Sequence, residues 1–159
     1  MPDRRFQIKP VRTAEDIQAA AGLFQAYADS LSIDLGFQDF SAELASLPGK
    51  YAPPLGELLL ARDASGRPVG CVALRPMEDG VCEMKRLYVS PEGRGGGLGT
   101  GLMNAILAEA VRIGYREMRL DTLSTMTPAL ALYRKGGFVS IPAYYETPLT
   151  NTVFMSRVL

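Results

Sequence analysis

RGGGLGT, Arg94 to Thr100, follows the apolar run Val81 to Val89 and opens an amphipathic run that begins at Leu98. This is the grammar of a strand-to-helix junction. The first backbone N–H groups of a helix have no partner within it, and the helix dipole adds partial positive charge there. Glycines let an anion approach those N–H groups closely, so the stretch predicts a cradle for phosphate, and for pyrophosphate in particular. One glycine would suffice for a tight connection; four argue for close approach of a ligand. Two better-known phosphate loops do not fit. Gly96 and Gly101 have the spacing of G-x-x-x-x-G-K-[ST], but Leu102 stands at the lysine position. The dinucleotide pattern G-x-G-x-x-G fails as well, because Gly95 and Gly97 lead to Thr100, and Gly97 and Gly99 to Leu102. What is present is Arg-x-x-Gly-x-Gly, at Arg94, Gly97 and Gly99.

Working outward, Leu98, Leu102, Met103, Ile106, Leu107, Ala110 and Ile113 trace one apolar helix face, which Gly114 is placed to end. Tyr115 to Thr122 reads as a strand. Strand, long helix, strand is a crossover, so the flanking strands should run parallel as neighbours or nearly so. Pro128 lies in the first turn of a short helix, ALALYRKGG, stopped by Gly136-Gly137. Phe138 to Ile141 and Thr152 to Val158 form a closing strand pair separated by IPAYYETPLTN. On the other side, Glu57 to Asp63, Pro68 to Met77 and Val81 to Val89 are joined by Asp63–Gly66 and Glu78–Gly80 turns, which predicts an antiparallel meander. The chain begins with a strand, Phe6 to Arg12. Thr13 then caps a helix whose core face is Ile17, Ala20, Ala21, Phe24, Tyr27, Ala28 and Leu31. Between them Ser32 to Gly56 loosens, with one short helical piece at Asp39 to Leu47; a segment this long is a binding loop or a mobile one. The expectation is one domain over residues 1–159, of α/β class (an α+β mixed sheet), in the order β-α-α-β-β-β-α-β-α-β-β.

At 159 residues and 47% hydrophobic, the chain can bury a substantial core. Its 17 basic and 17 acidic residues cancel, so no global field draws it to nucleic acid or an anionic membrane. The start, MPDRRFQIKP, lacks the apolar stretch of a secretory signal, and no apolar run is long enough to span a bilayer; a cytoplasmic protein is expected. Cys71 and Cys82 fall inside strands without metal-ligand spacing and read as small hydrophobes. Histidine is absent, which removes the commonest catalytic base and metal ligand together. Triad hydrolysis and zinc chemistry are poor fits, and no metal is expected.

Arg94-x-x-Gly97-x-Gly99 followed at the right distance by ALYRKGGF (Ala131–Phe138) resembles the GCN5-related N-acetyltransferase (GNAT) superfamily, small bacterial type. Cys82 to Leu102 and Ala129 to Phe138 carry the specific part, and the order of elements agrees along nearly the whole chain. The resemblance implies a central mixed sheet of about seven strands flanked by about four helices, with acetyl-CoA as co-substrate. It places the pantetheine arm along Leu87, Tyr88 and Val89, paired to backbone like an added strand. The pyrophosphate would lie over Arg94, Gly95, Gly96, Gly97, Leu98, Gly99 and Thr100, with the Arg94 side chain and Thr100 hydroxyl as further donors.

Acetyl transfer to an amine by direct attack in a ternary complex makes three demands. An alkylammonium of pKa ~10.4 is neutral only about once in a few thousand molecules at neutral pH, so a base is needed. Without histidine, a carboxylate in a partly buried cleft is the ordinary choice. Glu83, eleven residues before Arg94, stands where histone-acetylating members carry their catalytic glutamate; the alternative is a strand glutamate paired to Lys85 or a neighbouring strand, with another residue or a water as base. An acid must protonate the leaving thiolate, and Tyr133 matches the tyrosine that relatives place near the coenzyme sulfur; helix packing is its other reading. An oxyanion donor is needed, and the inherited candidate is the Val89 N–H. Many relatives carry asparagine where Met126 stands here, so one coenzyme contact is absent or falls to Ser124 or Thr125.

The acceptor is expected to be a small-molecule amine, an amino acid or related metabolite. Lys50, Arg75, Lys85 and Arg86 border the expected cleft and would suit an acceptor bearing a carboxylate, or are paired surface charges. The alternatives are acetylation of a protein lysine or N-terminus, and a non-catalytic acyl-CoA-binding sensor. Relatives often dimerise through their C-terminal elements, so a homodimer is part of the same expectation.

Overall fold

A computed structural model describes residues 5–31 and 35–159. Expectations for residues 1–4 and for Ser32–Asp34 lie outside the described residues. The strands are β1 (Phe6–Pro10), β2 (Glu57–Asp63), β3 (Pro68–Pro76), β4 (Val81–Val89), β5 (Glu117–Leu123), β6 (Val139–Ile141) and β7 (Thr152–Val158). The helices are α1 (Ala14–Ser30), α2 (Phe40–Ala45), α3 (Leu98–Ile113) and α4 (Thr127–Lys135), with short 3₁₀ turns at Leu35–Gln38, Gly49–Tyr51 and Pro91–Gly93. All seven strands form one sheet in the order β1-β2-β3-β4-β5-β7-β6. β4 and β5 run parallel, as a crossover through α3 requires, and the other neighbours are antiparallel.

Local chemistry sets the ends. The Thr13 hydroxyl accepts the Asp16 N–H at 3.0 Å and caps α1. Gly114 closes α3 with φ 112°, a left-handed conformation that costs glycine little. Two strands start later than expected because the helices before them claim the backbone. The Tyr115 N–H donates to Ala110 O at 3.0 Å and the Phe138 N–H to Tyr133 O at 3.0 Å, so both residues finish helices before their strands begin.

Alternation along the strands sorts side chains onto two faces. On one, Leu59, Val72, Leu74, Cys82, Met84, Met118 and Leu120 pack beneath α3 with Leu102, Met103 and Ile106. On the other, Leu58, Leu60, Cys71 and Ala73 pack beneath α1 with Ala20, Leu23 and Phe24. Burying each large apolar side chain contributes roughly 1.5–3 kcal/mol.

Two irregularities in the sheet's middle make room for a site. β4 and β5 pair only through Val81–Glu117, Cys82–Met118 and Glu83–Arg119. Beyond Glu83, β4 stays with β3 while β5 continues with β7 up to Leu123–Thr152, so the parallel neighbours part. The β3–β4 register also shifts, from Ala73 opposite Lys85 to Cys71 opposite Tyr88, which leaves one extra residue in β4. Arg86 lies in that bulge at φ 60°. Its guanidinium is fixed by a two-pronged bond to Glu43 of α2, both contacts 2.9 Å.

Candidate active site

A cavity of about 530 Å³ opens where β4 and β5 part. Leu87, Tyr88 and Val89 form one wall, Leu120, Asp121 and Thr122 the other, and Leu132 and Tyr133 of α4 line it too. Arg94 and Gly99 stand at its edge, so the glycine stretch and the end of β4 meet in one place.

The glycine stretch leaves backbone donors without helical acceptors at the start of α3. The first helical bond of α3 runs from the Gly101 N–H to Gly97 O at 3.0 Å, so the N–H groups of Leu98, Gly99 and Thr100 precede any acceptor one turn back. Arg94 is anchored through Nε to Val89 O at 3.1 Å, which ties the loop to the strand's end. Two of the four glycines answer to the turn and not to a ligand. Gly95 (φ 91°) and Gly97 (φ 77°) adopt left-handed backbone that glycine alone takes easily, so the turn itself explains two of the four. Gly99 is different: it lines the cavity within a helical backbone and has no such conformational need.

Tyr133 reaches the cavity from α4 while only 8% exposed, its ring edge-on to Phe138 with centroids 5.9 Å apart. Burial pushes its phenol well above the ordinary range, so it keeps its proton at neutral pH and can donate it. Val89 lies in the lining opposite Gly70 of β3. Met126 is also in the wall, its sulfur 3.9 Å from the Thr122 hydroxyl. The Ser124 N–H bonds Asn151 O at 2.9 Å and holds the chain after β5 to the start of β7.

Glu83 stands apart from this cavity. It is 1% exposed; one carboxylate oxygen accepts Arg75 Nε and Nη2, each at 2.8 Å, and the other accepts the Tyr144 hydroxyl at 2.5 Å. The neighbouring-strand pairing that competed with the base role is therefore present, since Arg75 is Glu83's register partner on β3. Three donors thus occupy lone pairs of this carboxylate. Arg75 and Arg86 are likewise occupied, by Glu83 and Glu43. Lys85 Nζ lies 3.9 Å from Asp121 across the gap, and burial pulls its ammonium below the ordinary value while Asp121 opposes the shift. Lys50 remains exposed at the rim of a separate pocket. Arg75, Glu83, Lys85, Arg86, Glu43, Tyr145 and Glu146 surround a polar pocket of about 180 Å³. Lys85 and Arg86 line both it and the large cavity.

A glycine-rich helix start, a split parallel pair and a buried tyrosine on the following helix border one cavity, and residues 21–138 match the sequence model of the acetyltransferase (GNAT) family. The chain belongs to this family. An N-acetyltransferase of Schizosaccharomyces pombe is 42% identical over 156 residues, spanning 98% of this chain and 96% of its own. IAA acetyltransferase of Azospirillum brasilense is 41% identical over 68% of this chain and 71% of its own. Among solved structures, a GNAT acetyltransferase of Staphylococcus aureus shares the fold with TM-score 0.80 at 17% identity, covering 96% of this chain and 98% of its own. Phosphinothricin acetyltransferase of Sinorhizobium meliloti, solved in complex with AcCoA, gives TM-score 0.73 at 17% identity over 98% of this chain and 89% of its own.

The GNAT chain is thus an acyltransferase of a family that uses acetyl-CoA, with the expected mixed sheet of seven strands. No helix among the described residues is long and apolar enough to cross a membrane. Sequence reasoning did not single out Asp121, Tyr144 or Tyr145. Tyr145 donates a hydrogen bond to Asp121, and Tyr144 one to Glu83, so the loop before β7 reaches both sides of the split. Paired tyrosines in a polar loop were the available signal, but nothing local told which carboxylates they meet.

Proposed function

We propose that this GNAT enzyme transfers the acetyl group of acetyl-CoA to a primary amine of a small metabolite by direct attack in a ternary complex. The observation that carries the reading is the polar pocket of about 180 Å³, small and bordered by charges of both signs, which shares Lys85 and Arg86 with the large cavity. A pocket of that size suits an amine with polar substituents, an amino acid among them. The residues fit the donor as well. The N–H groups of Leu98, Gly99 and Thr100, with Gly95, Gly96, Gly97 and the Arg94 side chain, would receive the pyrophosphate. Leu87, Tyr88 and Val89 would offer backbone to the pantetheine arm in the space where β4 leaves β5. Tyr133, kept protonated by burial, is assigned as acid for the thiolate, and the Val89 N–H as donor to the oxyanion. Glu83 is assigned a positioning role, holding Arg75 at the acceptor pocket and, through Tyr144, the loop that carries Tyr145 and Glu146.

The test is coenzyme A release from acetyl-CoA against a panel of amino acids, polyamines and lysine peptides, with Tyr133→Phe beside the parent. Turnover confined to small amines, strongly reduced in the phenylalanine variant, is expected. Preference for peptides would overturn the metabolite reading, and binding of acetyl-CoA without turnover of any amine would make the protein a sensor.

A further inference from the structure

We infer that Asp121 takes the proton from the acceptor amine; the inference rests on the amine acetylation proposed above and gives the base role to β5 instead of β4. Among the described residues lining the large cavity, Asp121 is the only carboxylate. It projects from β5 just past the last β4–β5 pair, Glu83–Arg119, where the strands part. The same cavity holds Tyr133, the assigned acid, and Tyr27.

The contacts of Asp121 leave it able to act. A carboxylate offers about four lone-pair sites. Tyr145 donates to Oδ2 and fixes the group's orientation. Oδ1 faces Lys85 Nζ at 3.9 Å, too far for a hydrogen bond, so its lone pairs can receive a proton from a substrate nitrogen. Its side chain is 13% exposed, enough to pass that proton on to solvent. Glu83, by contrast, is spent on Arg75 and Tyr144.

The acceptor enters as an ammonium and gives one proton to Asp121 Oδ1. The freed lone pair attacks the thioester carbonyl carbon; the C–N bond forms as the carbonyl π pair moves to oxygen. When that pair returns, the C–S bond breaks and sulfur takes the Tyr133 proton, which the second departing nitrogen proton replaces. The products are the amide, the coenzyme A thiol and one proton released from Asp121.

Two simple nucleophiles separate this role from a structural one. n-Butylamine is almost entirely protonated near neutral pH and needs the base; hydroxylamine is neutral there and does not. Acetyl-CoA binding by calorimetry and kcat/KM for both probes would be measured for the parent and Asp121→Asn. The variant is expected to bind acetyl-CoA as the parent does, to lose on the order of 10²–10⁴-fold with n-butylamine and less than about tenfold with hydroxylamine. Equal losses on both probes, or none on n-butylamine, would overturn the assignment. If Asp121→Asn does not fold, Tyr145→Phe leaves the carboxylate in place and should lose roughly tenfold, on n-butylamine alone. A parent that binds no acetyl-CoA, or releases coenzyme A to neither probe, defeats the underlying acetylation reading instead.

Discussion

Gly97, Gly99 and Gly101 lie two residues apart at the head of α3, and alanine at each tests a different claim. At Gly97 an added Cβ meets nothing within 4 Å, so the cost is that of left-handed backbone at φ 77°, about 1–2 kcal/mol. At Gly99 the Cβ would make an ordinary contact with Leu132 Cδ2 at 3.7 Å, and at Gly101 with Ile8 Cδ1 at 3.6 Å. Both lie in helix, where alanine is favoured by about 0.5–1 kcal/mol. For a chain of this size each kcal/mol moves Tm by about 2–4 °C. Gly97→Ala should therefore melt roughly 2–8 °C lower, and Gly99→Ala and Gly101→Ala roughly 1–4 °C higher. Acetyl-CoA affinity should follow a different order. Gly99 lines the cavity, and a methyl there keeps phosphate from the helix's first N–H groups; losing one charge-assisted hydrogen bond costs about 1.5–3 kcal/mol, at least tenfold in Kd. Gly101 does not line it, so its variant should bind as the parent does. Scanning fluorimetry without ligand and titration calorimetry with acetyl-CoA read the two effects separately. A Gly99→Ala protein that is stabilised yet binds at parental affinity would refute the cradle, and equal weakening at Gly101 would relocate it.

Glu83→Gln should destabilise by about 2–3 kcal/mol in urea titrations, below the full value for a broken buried ion pair because the Arg75 side chain is 33% exposed. Glu117 is held below its ordinary value of 4.5 by hydrogen bonds from Arg119 and Ser156. Its contribution is complete above 4.5 and is lost as pH falls through the depressed value, so Glu117→Gln should flatten the acid limb of the stability curve and leave the neutral region's slope unchanged. Burial raises the Cys71 thiol strongly and pushes Cys82 up to about 12, so neither should react with a thiol reagent in the native protein, and both should after guanidinium unfolding.

Alternation and turn chemistry made β2, β4 and β7 legible to the residue, because strand faces and Gly-containing turns are local properties. The late starts of β5 and β6 were not, since pattern cannot show that Tyr115 and Phe138 spend their N–H groups closing helices. The same division runs through the site. A phosphate cradle needs contiguous backbone and so writes a motif, and Tyr133 lies in a motif of its own. Asp121 and Tyr145 are 24 residues apart, and Glu83 and Tyr144 are 61 apart. Only the meeting of β4, β5 and the loop before β7 brings those groups together.

The three residue pairs that join β4 to β5 also divide the sheet mechanically. On one face a continuous apolar core runs from Leu59 on β2 to Met155 on β7 and spans both halves. On the other, the halves are bridged by polar crosspieces: Tyr144 to Glu83, and Lys85 to Asp121. Apolar packing thus ties the halves along one face, and discrete polar contacts tie them along the other. Substituting Tyr144 would cut one polar tie across the split without emptying the core, so the walls on that face can be varied independently of the apolar one.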